Sequence, residues 1–216
     1  MLVRIIKDII TMSQSNQHQS NEQPTQTIYS LESLSEFIKQ ETSDRRGRSI
    51  PPLEKWHPER QGEMDLVIKA NGEWWHEGTK ITRQSLVDLF ASILWQEGSE
   101  YYLKTPVEKL RINVEDVPFL IPEVNVIEQK EQGTSLIEFI TSTGDVVHLD
   151  DEHPLEMGEY QGEERPYIEV RFGMKGLISR NVLMHLTKIG ELTEQDGKTS
   201  LTLHSGGKAY SVTVSN

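Results

Sequence analysis

The stretch from Gly78 to Ile121 most restricts what this chain can become, because its apolar period changes partway along. Leu86, Leu89, Phe90, Ile93 and Leu94 recur at three- and four-residue spacing, which predicts one apolar side of an α-helix. Thr82 stands where a hydroxyl caps such a helix, and Gly98 where the helix would stop. From Glu108 the period becomes two, so Leu110, Ile112 and Val114 share one face of a predicted strand with Glu108. A helix with one apolar stripe and strands with one apolar face must cover each other, which calls for an α+β fold. Glu108, turned toward that core, requires a partner.

Upstream, DLVIKA and EWWHE flank Asn71 and Gly72, which predicts a hairpin closed by a tight type I′ turn. Consecutive tryptophans on a strand face opposite sides, so one of Trp74 and Trp75 enters the core and the other is left for an interface or ligand. Downstream, NVIEQ, SLIEFITS and VVHLD predict strands, the last two joined by Thr143, Gly144 and Asp145. Residues 150–166 hold two prolines, two glycines and seven acids and read as a long loop. ELTEQ, TSLTLHS and KAYSVTV, separated by Asp196-Gly197 and Gly206-Gly207, predict an antiparallel sheet.

The N-terminal end differs in kind. Residues 13–27 are almost wholly polar and have nothing to bury, which predicts a disordered arm over 1–27. Met12 is an alternative natural start, which would make 1–11 an extension. Leu31, Leu34, Phe37 and Ile38 then predict a short helix over 29–40, with Ser33 and Glu36 as a capping box. Arg45, Arg46 and Arg48 fall in the connection 42–62, where a solvated surface is a plainer reading than a phosphate site. The division expected is therefore an arm, a lobe over 28–121 and a lobe over 122–216.

The two lobes read as related copies. ITRQSLVDL at 81–89 aligns with ISRNVLMHL at 178–186, pairing Ile81 with Ile178, Thr82 with Ser179, Arg83 with Arg180, Leu86 with Leu183 and Leu89 with Leu186. In both places an extended segment, a glycine, a hydroxyl cap, an arginine and an amphipathic helix follow in the same order, as an internal duplication would produce.

The segments PPLEKW, GEMDLVI, NGEW, GTKITRQSLVDLFASIL, YYLKTPVEKLRINVEDVPFL, HPL at 153–155 and RPYIEVRFGMKGLISR carry a resemblance over residues 50–190. On these the chain is similar to the bacterial domain-of-unknown-function family numbered 1285, and it departs from that pattern at His57 and Lys80, where the family has Asn and Pro. The resemblance implies a duplicated α+β core whose second domain is superficially similar to pleckstrin-homology folds. It also implies a role in sensing or signalling with a ligand between the domains, and supplies no activity or catalytic residue.

Composition removes several classes of function. Without cysteine there are no disulfides, thiolate metal sites or cysteine nucleophiles. A formal charge of −12 opposes nucleic-acid binding, and the second half is the more acidic. No apolar run approaches the roughly 20 residues that span a bilayer, and no small-residue cleavage site follows MLVRIIKDII, so the chain reads as cytoplasmic. No GxSxG, Walker or dinucleotide motif is present, and no cofactor is expected.

The residues that could still form a site are Arg83, Arg180, Trp75, Glu108 and Asp116. Each arginine follows a hydroxyl cap at a helix start, where unpaired N–H groups and partial positive charge favour an anion. The plainer alternative pairs each arginine with an internal carboxylate such as Glu108, Glu115 or Asp116. The expectation is a non-catalytic module binding a small molecule or peptide where the lobes meet. A rival is an enzyme using His76, His148, Asp151 and His153, the last three forming a weak metal set within HLDDEHP that lacks an established ligand spacing. A third reading is an interaction protein with no ligand, marked by an exposed apolar edge strand in the second lobe.

Overall fold

The computed structural model describes residues 50–131, 133–195 and 197–215. The arm, the extension at 1–11, the helix over 29–40 with Ser33 and Glu36, and Arg45, Arg46 and Arg48 lie outside the described residues. The architecture is α+β and mostly sheet, in two compact units. One holds the described residues through Val67 together with Glu73–Asn113, and the other holds Ile68–Gly72 and Val114–Asn216.

In the N-terminal unit, β1 (Arg60–Ile68), β2 (Trp74–His76), β3 (Thr79–Lys80), β4 (Leu94–Glu97), β5 (Glu100–Lys104) and β6 (Glu108–Val114) form one sheet in the order β3-β2-β1-β6-β5-β4. Helix α1 (Gln84–Ser92) connects β3 to β4. Alternation buries Met64 and Leu66 of β1 and Leu110 and Ile112 of β6, while α1 buries Leu86, Val87 and Phe90. Trp74 stacks on Phe90 with ring centres 6.3 Å apart, so helix and sheet meet through aromatic faces.

The helix is shorter than its apolar spacing suggests. The Ile81 N–H donates to the Trp74 carbonyl at 2.8 Å, which keeps the chain extended past Lys80. Arg83, rather than Thr82, then holds the N-cap position, and its side chain makes no capping bond. At the other end Ile93 and Leu94 leave the helix, because Leu94, Leu103 and Leu110 line up across β4, β5 and β6 as one buried row. Gly98, at a φ of 60°, turns the β4–β5 hairpin instead of ending a helix.

Turn chemistry also moved. A type I′ turn needs both central residues at positive φ, and Asn71 is not among the positive-φ residues. The β1–β2 connection is longer, closing when the Gly72 N–H donates to the Lys69 carbonyl at 2.8 Å. A two-residue turn with left-handed residues comes instead at Glu77-Gly78, at φ 46° and 73°, between the paired His76 and Thr79.

The C-terminal unit contains three sheets and α2 (Arg180–Ile189). The first orders β11 (Leu155–Tyr160), β12 (Glu163–Arg171), β13 (Met174–Ile178) and β7 (Phe119–Ile121), with β13 parallel to β7. The second orders β10 (Val146–His148), β9 (Thr134–Ile140) and β8 (Glu123–Gln129), and the third β14 (Glu191–Gln195), β15 (Lys198–Ser205) and β16 (Lys208–Ser215). Phe119, Ile121, Ile137, Phe139, Ile168, Val170, Leu201, Leu203, Val182 and Leu186 fill its core.

Residues 150–166 are largely strand, not a long loop. The ladder from Leu155 opposite Ile168 to Tyr160 opposite Glu163 leaves Glu159, Glu163 and Glu164 in solvent, so the acids that suggested a loop decorate a hairpin. A hairpin followed by a helix occurs in each unit, as β2–β3–α1 and as β12–β13–α2, and the second also closes on two left-handed residues, Phe172 and Gly173. The pairings differ, since β3 ends its sheet while β13 lies between β12 and β7. Ser179 caps α2 by accepting the Val182 N–H at 3.4 Å, which Thr82 does not do for α1.

Candidate functional site

Two hairpin tips of the C-terminal unit make an open cleft. The β15–β16 hairpin turns on Gly206 and Gly207, at φ 58° and 79°, where a side chain would be strained. The Gly206 N–H donates to the Ser135 carbonyl at 2.7 Å, and the buried Ser205 hydroxyl accepts the Ile137 N–H at 3.1 Å. These two bonds hold the tip of β15–β16 against β9. A Cβ on Gly206 would lie 3.4 Å from Leu136, and one on Gly207 would lie 3.4 Å from Thr134.

The cleft encloses about 520 Å³ and is lined by Glu128, Gln129, Lys130, Thr134, Ser135 and His204, together with Gly133 and Gly207. The Thr134 hydroxyl donates to the Gln129 side-chain carbonyl at 3.0 Å, orienting both. Most of the wall is apolar side-chain surface, and the lining residues bring a carboxylate, an ammonium, an amide, hydroxyls and an imidazole to it, so the cleft suits a small molecule with both an apolar body and polar groups. Sequence reasoning found the Gly206-Gly207 turn and missed the cleft beside it.

The residues singled out from the sequence are placed as follows. Arg83 is exposed, and its Nε donates to the Ser85 hydroxyl at 3.0 Å. Trp75 is half-buried with its indole N–H on Glu73 at 3.1 Å, whereas Trp74 is the tryptophan in the core. Glu108 is buried at the start of β6, where the Thr105 hydroxyl accepts its N–H at 3.2 Å and donates to its carbonyl at 2.9 Å. In the C-terminal unit Arg180 is exposed on the first turn of α2.

Asp116 is tied to Arg165 at 3.2 Å and to the Tyr167 hydroxyl at 3.0 Å. Burial, followed by the hydrogen bond to Asp116, raises the Tyr167 hydroxyl far above the usual phenol range. Glu115 accepts from Lys69 at 2.7 Å and from the Ala70 N–H at 3.0 Å. The expected tie between arginine and an internal carboxylate therefore exists at Asp116, but with Arg165 instead of Arg83 or Arg180.

The histidine and acid set is dispersed over separate partners. His148 faces Glu138 at 3.4 Å, His153 pairs with Asp150 at 3.0 Å, and Asp151 is held by Lys208 and by the Tyr210 hydroxyl at 3.3 Å. The Lys208 ammonium keeps the Asp151 carboxyl below its ordinary range. His76 is buried on β2 in the other unit. Among the described residues no group of three His, Asp or Glu side chains is placed to hold a metal ion.

A further feature escaped the sequence reading. In the N-terminal unit the Lys104 ammonium lies 4.0 Å from the centre of the Trp95 ring, and that of Lys109 lies 4.6 Å over Tyr102 while pairing with Glu97. Burial lowers the Lys104 ammonium below the ordinary lysine range. These stacked cations cover one face of β4–β6 with their own methylene stems, a structural use of lysine.

Two family models match in succession, "Domain of unknown function (DUF1285), N-terminal domain" over residues 51–117 and "Protein of unknown function (DUF1285), C-terminal domain" over residues 118–212. The chain is similar to the crystal structure of a DUF1285 family protein from Silicibacter pomeroyi DSS-3, with 33% identity, coverage of 82% of this chain and 92% of that one, and a TM-score of 0.65. A DUF1285 family protein from Shewanella baltica OS155 is 30% identical over 58% of this chain and 91% of that one, with a TM-score of 0.45. No curated protein matches. No helix among the described residues is long and apolar enough to cross a membrane.

Proposed function

This chain belongs to the DUF1285 family of proteins of unknown function, and we propose that it is a non-catalytic binding module that takes a small molecule with an apolar body and polar groups into the cleft of its C-terminal unit. The observation that carries the reading is the lining of that cleft, to which Glu128, Lys130 and His204 contribute along with Thr134 and Ser135. A ligand with one anionic and one cationic or hydroxyl group matches such a wall. A sensing role follows if occupancy alters the paired hairpin tips. The exposed Arg83 in one unit and Arg180 in the other are secondary candidates for anion contact. The hairpin and helix found in each unit support an ancient duplication, and the strand-rich second unit with its single helix suits a superficial likeness to pleckstrin-homology folds.

The test is a thermal-shift screen of the purified chain against amino acids, sugars, nucleotides and divalent metals, repeated on Lys130→Ala and His204→Ala. A ligand that binds the native state raises the melting temperature by mass action, by about 2.7 kcal/mol of stability at a hundredfold excess over Kd. Both residues are exposed, so the unliganded melting temperature should hold while the ligand-induced shift falls. A shift that survives both substitutions rejects the cleft, and turnover of a bound compound rejects the non-catalytic reading.

A further inference from the structure

The third sheet of the C-terminal unit ends on β14, whose five side chains are all exposed. Across this sheet Leu192 stands opposite Leu201, and Leu201 opposite Val212. Directly opposed residues share a face, so the three form one apolar row. Val212 and Leu201 are buried, yet Leu192 is 55% exposed because nothing among the described strands pairs beyond β14. Ile189, at the end of α2 three residues earlier, is 42% exposed. The neighbouring side chains Glu191 and Glu194 give this rim negative charge.

An edge strand has one row of N–H and C=O groups directed away from its sheet, and natural edges are commonly blunted by charged side chains, above all lysine, by proline or by a bulge. The sequence ELTEQ of β14 has neither lysine nor proline, its two charges are glutamates that repel an acidic strand and attract a basic one, and its ladder with β15 runs in continuous register from Glu191 to Gln195. From this geometry we propose that the β14 edge binds an extended basic peptide by strand addition, at a site that adjoins the cleft through Glu191, 4.0 Å from His204, but needs no occupant there. Antiparallel addition would seat an apolar peptide residue beside Leu192, completing the row Val212, Leu201, Leu192. It would bring basic residues opposite Glu191 and Glu194. The order basic, polar, apolar, basic along the peptide follows from that pairing.

A fluorescein-labelled peptide Ser-Lys-Thr-Val-Lys-Thr and its counterpart with glutamate in place of both lysines provide the probes. The full chain should bind the basic probe saturably by anisotropy, and hydrogen exchange should slow at the β14 amides. Joint replacement Glu191→Lys with Glu194→Lys should weaken the basic probe about tenfold and let the acidic one bind, since two opposed charge pairs change sign. Both positions are exposed, so folding is preserved, which unchanged circular dichroism checks. No binding, equal binding of both probes, protection elsewhere than β14, or equal binding of a probe with proline at both its central threonine and valine, one of which must donate to β14, would overturn the proposal. So would concentration-dependent β14 protection without probe, which would assign the edge to a second copy of the chain.

Discussion

The Nε of Arg171 donates to Oδ1 of Asp145 across 2.8 Å, with Asp145 buried and Arg171 largely so. The other carboxylate oxygen accepts from the hydroxyls of Thr141 and Thr143 at 3.2 and 3.1 Å, and the guanidinium lies 5.0 Å from the Phe119 ring. The β9–β10 turn is thereby joined to the end of β12. Removing one member strands a charge in the core, so Asp145→Ala should cost about 3–5 kcal/mol, read by urea denaturation. Pairing Asp145→Asn with Arg171→Met should recover much of that loss, because no uncompensated charge remains.

Gly206 and Gly207 should resist substitution because of conformation. Each has a positive φ, while a Cβ 3.4 Å from a neighbouring side chain would make only an ordinary contact. Gly206→Ala should lower stability by about 1–2 kcal/mol and weaken any ligand of the cleft. Gly78, also at positive φ but with open space around it, should accept Asn with little change in melting temperature.

Much of the fold was legible from local pattern. Helices α1 and α2, β6, the β9–β10 turn and the final three-stranded sheet all followed from apolar period and turn residues. Ile93 and Leu94 misled because apolar spacing suits a helix face and a buried strand equally, and their strand partners come later in the chain. The acids at 150–166 misled because charge on the solvent side of a hairpin looks like a loop. The partners of Asp116 lie 49 and 51 residues away in Arg165 and Tyr167. The cleft joins 128–135 to 204–207, a closeness created by the contact of Gly206 with Ser135 and written in no spacing.

Tyr167 predicts the alkaline side of the stability profile. Its hydroxyl is raised in the folded state by burial and by Asp116, while in the unfolded chain it ionises near the usual value of about 10. A raised folded value stabilises fully below that pH, and the contribution is lost as pH climbs above it. Tyr167→Phe should flatten this alkaline decline. It should also cost about 1–3 kcal/mol at neutral pH, where Asp116 loses a buried donor. Tyrosinate absorbance followed against pH checks the assignment, and the residue titrating last should vanish in the variant.

Asp150 predicts the acid side. Burial acts to raise its carboxyl, but the His153 ring and the N–H groups of His153 and Glu152 outweigh that and hold it below the ordinary value. The bonds are 3.0, 2.9 and 2.9 Å long. A depressed carboxylate contributes stability that is complete above the unfolded value of about 3.9 and disappears as pH falls through the lower folded one. The wild-type chain should therefore lose stability through this group below about pH 4, and Asp150→Asn should lose less over the same interval. Melting temperatures of both proteins from pH 6 down to about 2.5 would show it. Parallel curves would mean that the turn of Asp150 with His153 is held by backbone geometry alone, with no contribution from the charge.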